Sequence, residues 1–507
     1  MPSLLRPRPV TSATAPIAPG TLTIVAVGAA GDGIALAPEG ARLYVPYTLP
    51  GEHVLATVLT SRGGGMAARL ERIDIPSPDR IPPACPHFGT CGGCALQHWA
   101  TGPYLAWKSG LLRDALIRAG FPDPVLAPIV ATPPGARRRM DLAVYRDPKG
   151  RDGTAPRLGL HPAHGGPPVD LNCCPVLHPA LASLIAPLRA LLTPRGLLRR
   201  EGSVLANLLD NGPDLLLRTD VEPSQADRAR LIAFARAQRL PRLSWSPEGA
   251  AHSTDPPEPI AILHPPRLTL AGIPLAPPPG AFLQASAEGE AAIRAAVLAA
   301  LPDRLPPRAR IEELHAGIGT LTFTLAGRAR VRAWDADAAA LAALRQAAAA
   351  SGLAGRIETI PRDLDRRPLA PAELAGAAAV VLDPPHAGAA AQMPALAAAG
   401  PPIVIYVSCN PATLARDAAM LREAGYALAA ATPIDQFLWS ARLESVVVFH
   451  RAPRRGGVTQ GPGRAAQPSP RRSRNSACSP NRLAMRGNRR QGARRPASSA
   501  ASQRSTA

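Results

Sequence analysis

Short apolar and polar positions alternate from residue 19 to 75. The runs TLTIVAVG, GIALAP, ARLYVPY, HVLATVLTS and AARLERIDI are separated by the breaks GAAGDG, TLPGE and SRGGG, and five strands at this spacing predict a small barrel of the OB type. From 99 to 120 the period lengthens, with Leu105, Trp107, Leu111, Leu112, Ala115 and Leu116 near helical spacing. Residues 125 to about 275 read as mixed strand and helix interrupted by Pro and Gly. From about 278 to 452 strand and helix alternate regularly. Strands are predicted at 309–314, 330–334, 378–382 and 403–407, helices at 287–301, 337–352 and 411–424, and a closing strand at 443–450. That is the pattern of a doubly wound α/β sheet. No internal repeat is evident.

The 507 residues suffice for two or three domains with their own cores, and 46% hydrophobic with 19% charged residues fits a globular chain. The formal charge of +20 is unevenly placed: Arg451 to the end holds 14 Arg and no Lys, Asp or Glu, which leaves +6 for the preceding 450 residues. A mildly basic body suits a polyanionic partner. Residues 1–18 and 453–507, rich in Pro, Ser and, in the tail, Arg, predict disorder. The tail reads either as an extension that binds a polyanion or as a read-through artefact. No apolar run reaches the roughly 20 residues a bilayer requires. The first residues are too short and Pro-broken for a secretory signal, so a cytoplasmic location is expected.

Seven cysteines stand at 85, 91, 94, 173, 174, 409 and 478. An odd count with a tight cluster argues for metal or catalysis over disulfides. Cys85, Cys91 and Cys94, with Cys173-Cys174 supplying a fourth thiolate, suit zinc or a four-iron cluster.

Further motifs fall at strand ends. HAGIGTLT (315–322) follows strand 309–314, and such a glycine turn lets backbone approach a ligand closely, although it can also serve packing alone. Asp335, twenty residues past His315, is placed to take a ribose diol, a logic that serves NAD and S-adenosylmethionine alike. In LDPPHAG, Asp383 ends an apolar strand before a proline pair. In YVSCNPATLARD, Cys409 precedes a helix start, where the dipole favours a thiolate over the inert buried Cys that is the ordinary alternative. Glu444 opens an apolar strand, which is costly unless the carboxylate is used or paired, although taken alone it reads as an exposed residue at a strand end.

Together PSPDRIPPACPHFGTCGGCALQH, HAGIGTLT, LDPPHAG and VSCNPATLARD resemble, in order and spacing over about 19–450, the RNA 5-methyluridine methyltransferases. The resemblance implies a class I, Rossmann-like S-adenosylmethionine-dependent domain at 278–452, a TRAM domain at 19–75 and a mixed α+β central domain at 76–277. It implies Cys409 as nucleophile and Glu444 as base. Gln284, His315, Thr320, Asp335, Asp363 and Asp383 fall at positions that contact S-adenosyl-L-methionine, and Cys85, Cys91, Cys94 and Cys174 at ligands of a [4Fe-4S] cluster. Cys174 is chosen over Cys173 because the family's fourth Cys precedes Pro-Val. The expected partner is RNA, ribosomal more than transfer, with no DNA or membrane, and a monomer is expected. Three departures stand out. His315 replaces an aromatic residue, GARRRMDL (135–142) lacks a usual Tyr, and DQFLWSARLE has Leu438 for Pro and Arg442 for His. An Arg beside the base is expected to lower its pKa and weaken it. The competing readings are a non-catalytic RNA-binding protein on the same fold, a radical enzyme, whose Cys-x3-Cys-x2-Cys spacing is not met, and a zinc-stapled enzyme.

Overall fold

The computed structural model describes residues 20–149, 154–163, 165–249 and 256–451, which belong to one compact unit. The segments expected to be disordered, 1–18 and 453–507, lie outside the described residues.

Strands β1 (Gly20–Thr23), β2 (Ala26–Val27), β3 (Gly33–Leu36), β4 (Arg42–Val45), β5 (His53–Arg62) and β6 (Gly65–Ile75) form a six-stranded sheet in the order β1-β5-β6-β4-β3-β2. Its two edges, β1 and β2, are consecutive along the chain. Ile24 turns inward between them onto Ala35, Leu43, Val45, Val54, Ala56 and Ala68. The sixth strand arises because that inward turn splits the first apolar run in two. Register shifts along β5–β6 add the twist that curls the sheet.

Helix α1 (Thr101–Arg118) and the short β7 (Val130–Ala131) follow. A second six-stranded sheet combines β8 (Arg139–Tyr145), β9 (Arg157–Gly159), β10 (Glu201–Leu209), β11 (Gly212–Thr219), β12 (Arg242–Pro247) and β13 (Glu258–Ile262). Its apolar face packs on α2 (Pro179–Ala182), α3 (Ile185–Leu192) and α4 (Gln225–Ala237) through Leu142, Val204, Leu217, Leu188 and Leu231. A hairpin, β14 (Leu268–Leu270) and β15 (Ile273–Leu275), leads to α5 (Ala287–Ala299).

The rest alternates. It runs β16 (Arg310–Leu314), α6 (Thr322–Ala326), β17 (Arg330–Asp335), α7 (Ala338–Ala350), β18 (Ile357–Pro361), α8 (Pro371–Leu374) and β19 (Ala379–Leu382). Then come α9 (Met393–Ala399), β20 (Ile403–Ser408), α10 (Pro411–Glu423), β21 (Tyr426–Asp435) and β22 (Glu444–Arg451). The eight-stranded sheet has the order β18-β17-β16-β19-β20-β22-β21-β7. The strands β16 to β20 are parallel, and at the centre every residue of β19 and β20 is buried, as parallel strands covered on both faces require. Side chains of Ser286, Asp337 and Asn410 cap α5, α7 and α10 and fix where these helices begin. α5, α6 and α7 cover one face through Ile293, Phe323 and Leu344. The other face is covered by α9 and α10 with α1, whose Leu112 and Leu116 join Met393, Leu414 and Val380 in one core. Among the described residues no helix is long and apolar enough to cross a membrane.

Candidate active site

β22 runs antiparallel between β20 and β21, with Ser408 paired to Ser445 and Ile434 paired to Glu444. The start of β22 therefore lies at the edge where the parallel strands end. His315 follows β16, Asp335 ends β17, Asp363 lies just past β18, Asp383 follows β19 and Cys409 follows β20. Just beyond the last pair of the β20–β22 register, Cys409 lies near enough to Glu444 for that charge to act on the thiol.

Glu444 is buried at 3% exposure. Its Oε2 accepts from Gln436 Nε2 at 2.7 Å, and its Oε1 has no partner among the described residues. Burial, then the Asp383 charge, raises its pKa well above the carboxylate range. Asp383 accepts from Gln284 Nε2 at 2.8 Å and is raised to about 7 by burial. The Cys409 thiol is pushed up to about 12, first by burial and then by the charges of Glu444 and Asp383. This corrects the expectation from the helix start: removal from water outweighs the dipole, and the resting group is a thiol. The expectation for Arg442 is corrected as well. Its exposed guanidinium acts on Cys409, which it pulls down, and on His386, while Glu444 stays raised.

The glycine turn is built for close approach. Gly317 and Gly319 adopt φ of 55° and 99°, and a Cβ on Gly319 would meet Leu344 at 2.6 Å. Gly317 N donates to Asp335 Oδ2 at 2.8 Å, so the carboxylate expected at the ribose already braces the turn. His315 is itself in the left-handed region at φ 64°, its Nε2 has no partner among the described residues, and burial lowers its pKa against the pull of Asp335, Asp365 and Asp363. Thr320 is half-buried in the turn, and Asp363 receives the amides of Asp365 and Arg366. Unforeseen from the sequence was Glu313, buried below the turn, raised to about 8 by burial and with Oε2 unpartnered among the described residues. Gln436 was also missed, because a lone Gln in an irregular loop carries no pattern. The orphaned polar atoms, the strained turn and the row of carboxylates fit a ligand bearing a ribose and a cationic amino-acid end.

The thiols of Cys85, Cys91, Cys94 and Cys174 lie in one locality. Cys94 is pushed up to about 12 by burial and then by Cys174, Cys91 and Cys85. Cys174 acts on all three partners, whereas exposed Cys173 bears on Cys85 alone among them. Close approach needs Gly92, whose Cβ would sit 2.5 Å from His161 O, and Gly93, whose Cβ would sit 2.7 Å from Leu160. Among the described residues no three His, Cys, Asp or Glu side chains converge tightly enough for a single metal ion. This segment touches the active edge: Ala95 N and Leu96 N donate to Trp439 O at 2.9 and 3.0 Å.

The doubly wound sheet, the strained glycine turn and the acidic residue at the end of the next strand form a site for a ribose-bearing cofactor, and the fold is that of S-adenosylmethionine-dependent methyltransferases. A tRNA (uracil-54, C5)-methyltransferase of Pyrococcus abyssi in complex with S-adenosyl-L-homocysteine shares that fold, with TM-score 0.61 at 20% identity over 85% of this chain and 100% of its own. Residues 373–452 match the family described as tRNA (Uracil-5-)-methyltransferase. An uncharacterized RNA methyltransferase of Brucella suis is 39% identical over 85% of this chain and 97% of its own length. The 23S rRNA (uracil(1939)-C(5))-methyltransferase RlmD of Yersinia enterocolitica is 32% identical over 85% and 95%. The chain belongs to the family of S-adenosylmethionine-dependent RNA (uracil-5-)-methyltransferases.

Proposed function

We propose that the chain methylates carbon 5 of a uridine in RNA, 23S ribosomal RNA rather than transfer RNA, through a covalent bond between Cys409 and carbon 6. The observation that carries the reading is that the β20–β22 register ends at Ser408 and Ser445, so that the neighbouring Cys409 and buried Glu444 share the edge where the glycine turn and acidic strand ends also lie. Carbon 5 of uracil is a poor nucleophile. Addition of the Cys409 thiolate at carbon 6 moves electron density onto it. S-adenosyl-L-methionine, when bound, supplies an electrophilic methyl. Glu444 then removes the carbon 5 proton, the double bond reforms and the sulfur leaves. Because burial holds both the Cys409 thiol and the Glu444 carboxyl toward their protonated forms, both protons pass to solvent before the methyl transfer is completed, the thiol's loss aided by the Arg442 charge and the carboxylate being the form that takes the carbon 5 proton. Gln284, His315, Thr320, Asp335, Asp363 and Asp383 are assigned to the cofactor, His315 doing with an imidazole face what an aromatic ring does elsewhere. The target base must leave its stack to reach Cys409.

Cys85, Cys91, Cys94 and Cys174 are assigned to a [4Fe-4S] cluster. What supports the assignment is the shared locality of the four thiols, which lie near enough to raise one another. We infer that the curled sheet at 19–75 is the TRAM barrel of OB type, that 76–277 is the central domain, and that both grip RNA while 278–452 holds the chemistry. The ribosomal choice rests on the 32% identity to the 23S rRNA enzyme over nearly its whole length.

RNA carrying 5-fluorouridine at the target tests the reading. With cofactor present it is expected to form a denaturant-resistant adduct mapping to Cys409, and Cys409→Ala is expected to abolish both adduct and methylation. Methylation surviving in Cys409→Ala would overturn the mechanism. Tight RNA binding without methylation by the intact protein would favour a non-catalytic role.

A further inference from the structure

Two buried amides join the two carboxylates of the site. Gln436 Nε2 donates to Glu444 Oε2 at 2.7 Å and to Gln284 Oε1 at 2.8 Å, and Gln284 Nε2 donates to Asp383 Oδ2 at 2.8 Å. The orientation of Gln436 is fixed independently, because its Oε1 accepts from the backbone Ala285 N at 3.1 Å. A flipped amide would turn its NH2 toward that N–H and its oxygen toward a carboxylate, two repulsive contacts in place of two attractive ones. Gln436 thus spends both its hydrogens and its oxygen on named partners, and both glutamines are buried, at 4% and 3% exposure.

The surrounding chain holds this geometry. Arg138 N and Nε donate to Ala285 O and Gln284 O, and Arg138 pairs with Glu290 of α5. Gly289, early in α5, lies against Gln436: a Cβ there would sit 2.7 Å from Gln436 Cβ and 2.9 Å from its Oε1. The consequence falls on Glu444. One carboxylate oxygen is tied to an amide, and the other, Oε1, is left without a partner among the described residues.

We propose that Gln436 is the positioning residue of Glu444, holding Oε2 so that Oε1 alone takes the proton from carbon 5. In that step the C5–H bond breaks and its proton passes to Oε1. The electron pair becomes the C5=C6 double bond, and the C6–S bond to Cys409 breaks with its electrons on sulfur. The proposal rests on Glu444 being the base.

The full-length protein is assayed with RNA bearing tritium at carbon 5 of uridine, following tritium release and the cofactor-dependent, denaturant-resistant methylated adduct. Gln436→Met keeps bulk and loses both donors. It is expected to slow tritium release about ten- to hundredfold, the scale of one hydrogen bond to a charged group. Adduct should accumulate, with KM for RNA and cofactor affinity within about twofold of the parent if the defect lies in this one step. Gly289→Ala, which displaces Gln436 without removing it, is expected to show the same stall more mildly, and it decides the matter if Gln436→Met fails to fold. Normal tritium release in the folded variants, or loss of adduct together with release, overturns the assignment. Glu444→Gln separates the two claims. Normal release there defeats the base assignment itself. A stall there, with normal release in Gln436→Met, defeats the role of Gln436 alone.

Discussion

Cys409, Asp383 and Glu444 are each held in the protonated direction by burial, and neighbouring carboxylate charge deepens it for Cys409 and Glu444. A carboxyl group whose folded pKa is raised binds more protons folded than unfolded. Between the unfolded Asp value of about 4 and the folded value of about 7, stability therefore falls as pH rises. Melting temperature is expected to decline across that window in the ligand-free protein, and Asp383→Asn to flatten the slope and stabilise the protein at neutral pH. A wild-type melting temperature that climbed from pH 5 to 7.5, unchanged in the variant, would contradict this. At this scale the sequence was legible where chemistry coincides with a strand end. Cys409, Asp383 and Asp335 announce themselves by position. Gln436 does not, because its place comes from a partner far away in the chain: it meets Gln284 across 152 positions.

Among the elements, α1 reaches furthest beyond its sequence neighbours. Its apolar stripe was readable, but Lys108 in the middle of it was not. That ammonium is buried at 0% exposure, paired with Asp435 at the end of β21, and donates to Phe437 O at 3.0 Å and Arg442 O at 2.7 Å. Tyr104, one turn earlier, donates to Asp435 Oδ2 at 2.7 Å and accepts from Trp439 N at 2.8 Å. One helix face thus pins the loop that joins Gln436 to Glu444, including Trp439 at φ 58°. Lys108→Met removes three donors and strands a buried carboxylate, so urea denaturation is expected to show a loss of about 3–5 kcal/mol. A loss below about 1 kcal/mol, the range of a surface pair, would show that the network is not what holds the loop. β18 and β21 were missed from the sequence for physical reasons. β18 is a five-residue edge strand, and β21 is Ala-rich with a register shift between Leu428 and Ala430.

For the molecule as a whole, alternation from 278 to 452 was enough to foresee a doubly wound sheet. Long-range pairing was not foreseeable: β7 joins the sheet beside β21, Ile434 pairing with Val130, and α1 fills a place on its face. The clasp of Ala95 and Leu96 on Trp439 O ties the thiol segment to the loop before Glu444. Removing the proposed cluster by oxidation, or replacing Cys94 by Ser, is therefore expected to speed amide exchange at Ala95 and Leu96 and to loosen residues 437–442 while the β16–β20 core stays protected. Unchanged exchange there would mean the cysteines and the loop are energetically independent.

The interior place of β22 has a consequence for the order of assembly. The last strand described threads between β20 and β21, so both neighbours must wait for it, and contacts such as Lys108 with Asp435 close a span of 327 residues. Chains dominated by such distant contacts fold slowly, since loop closure must precede the reward. During synthesis Glu444 emerges after the glycine turn and Cys409, so a nascent chain halted before residue 444 would hold the proposed nucleophile and the cofactor turn without the proposed base.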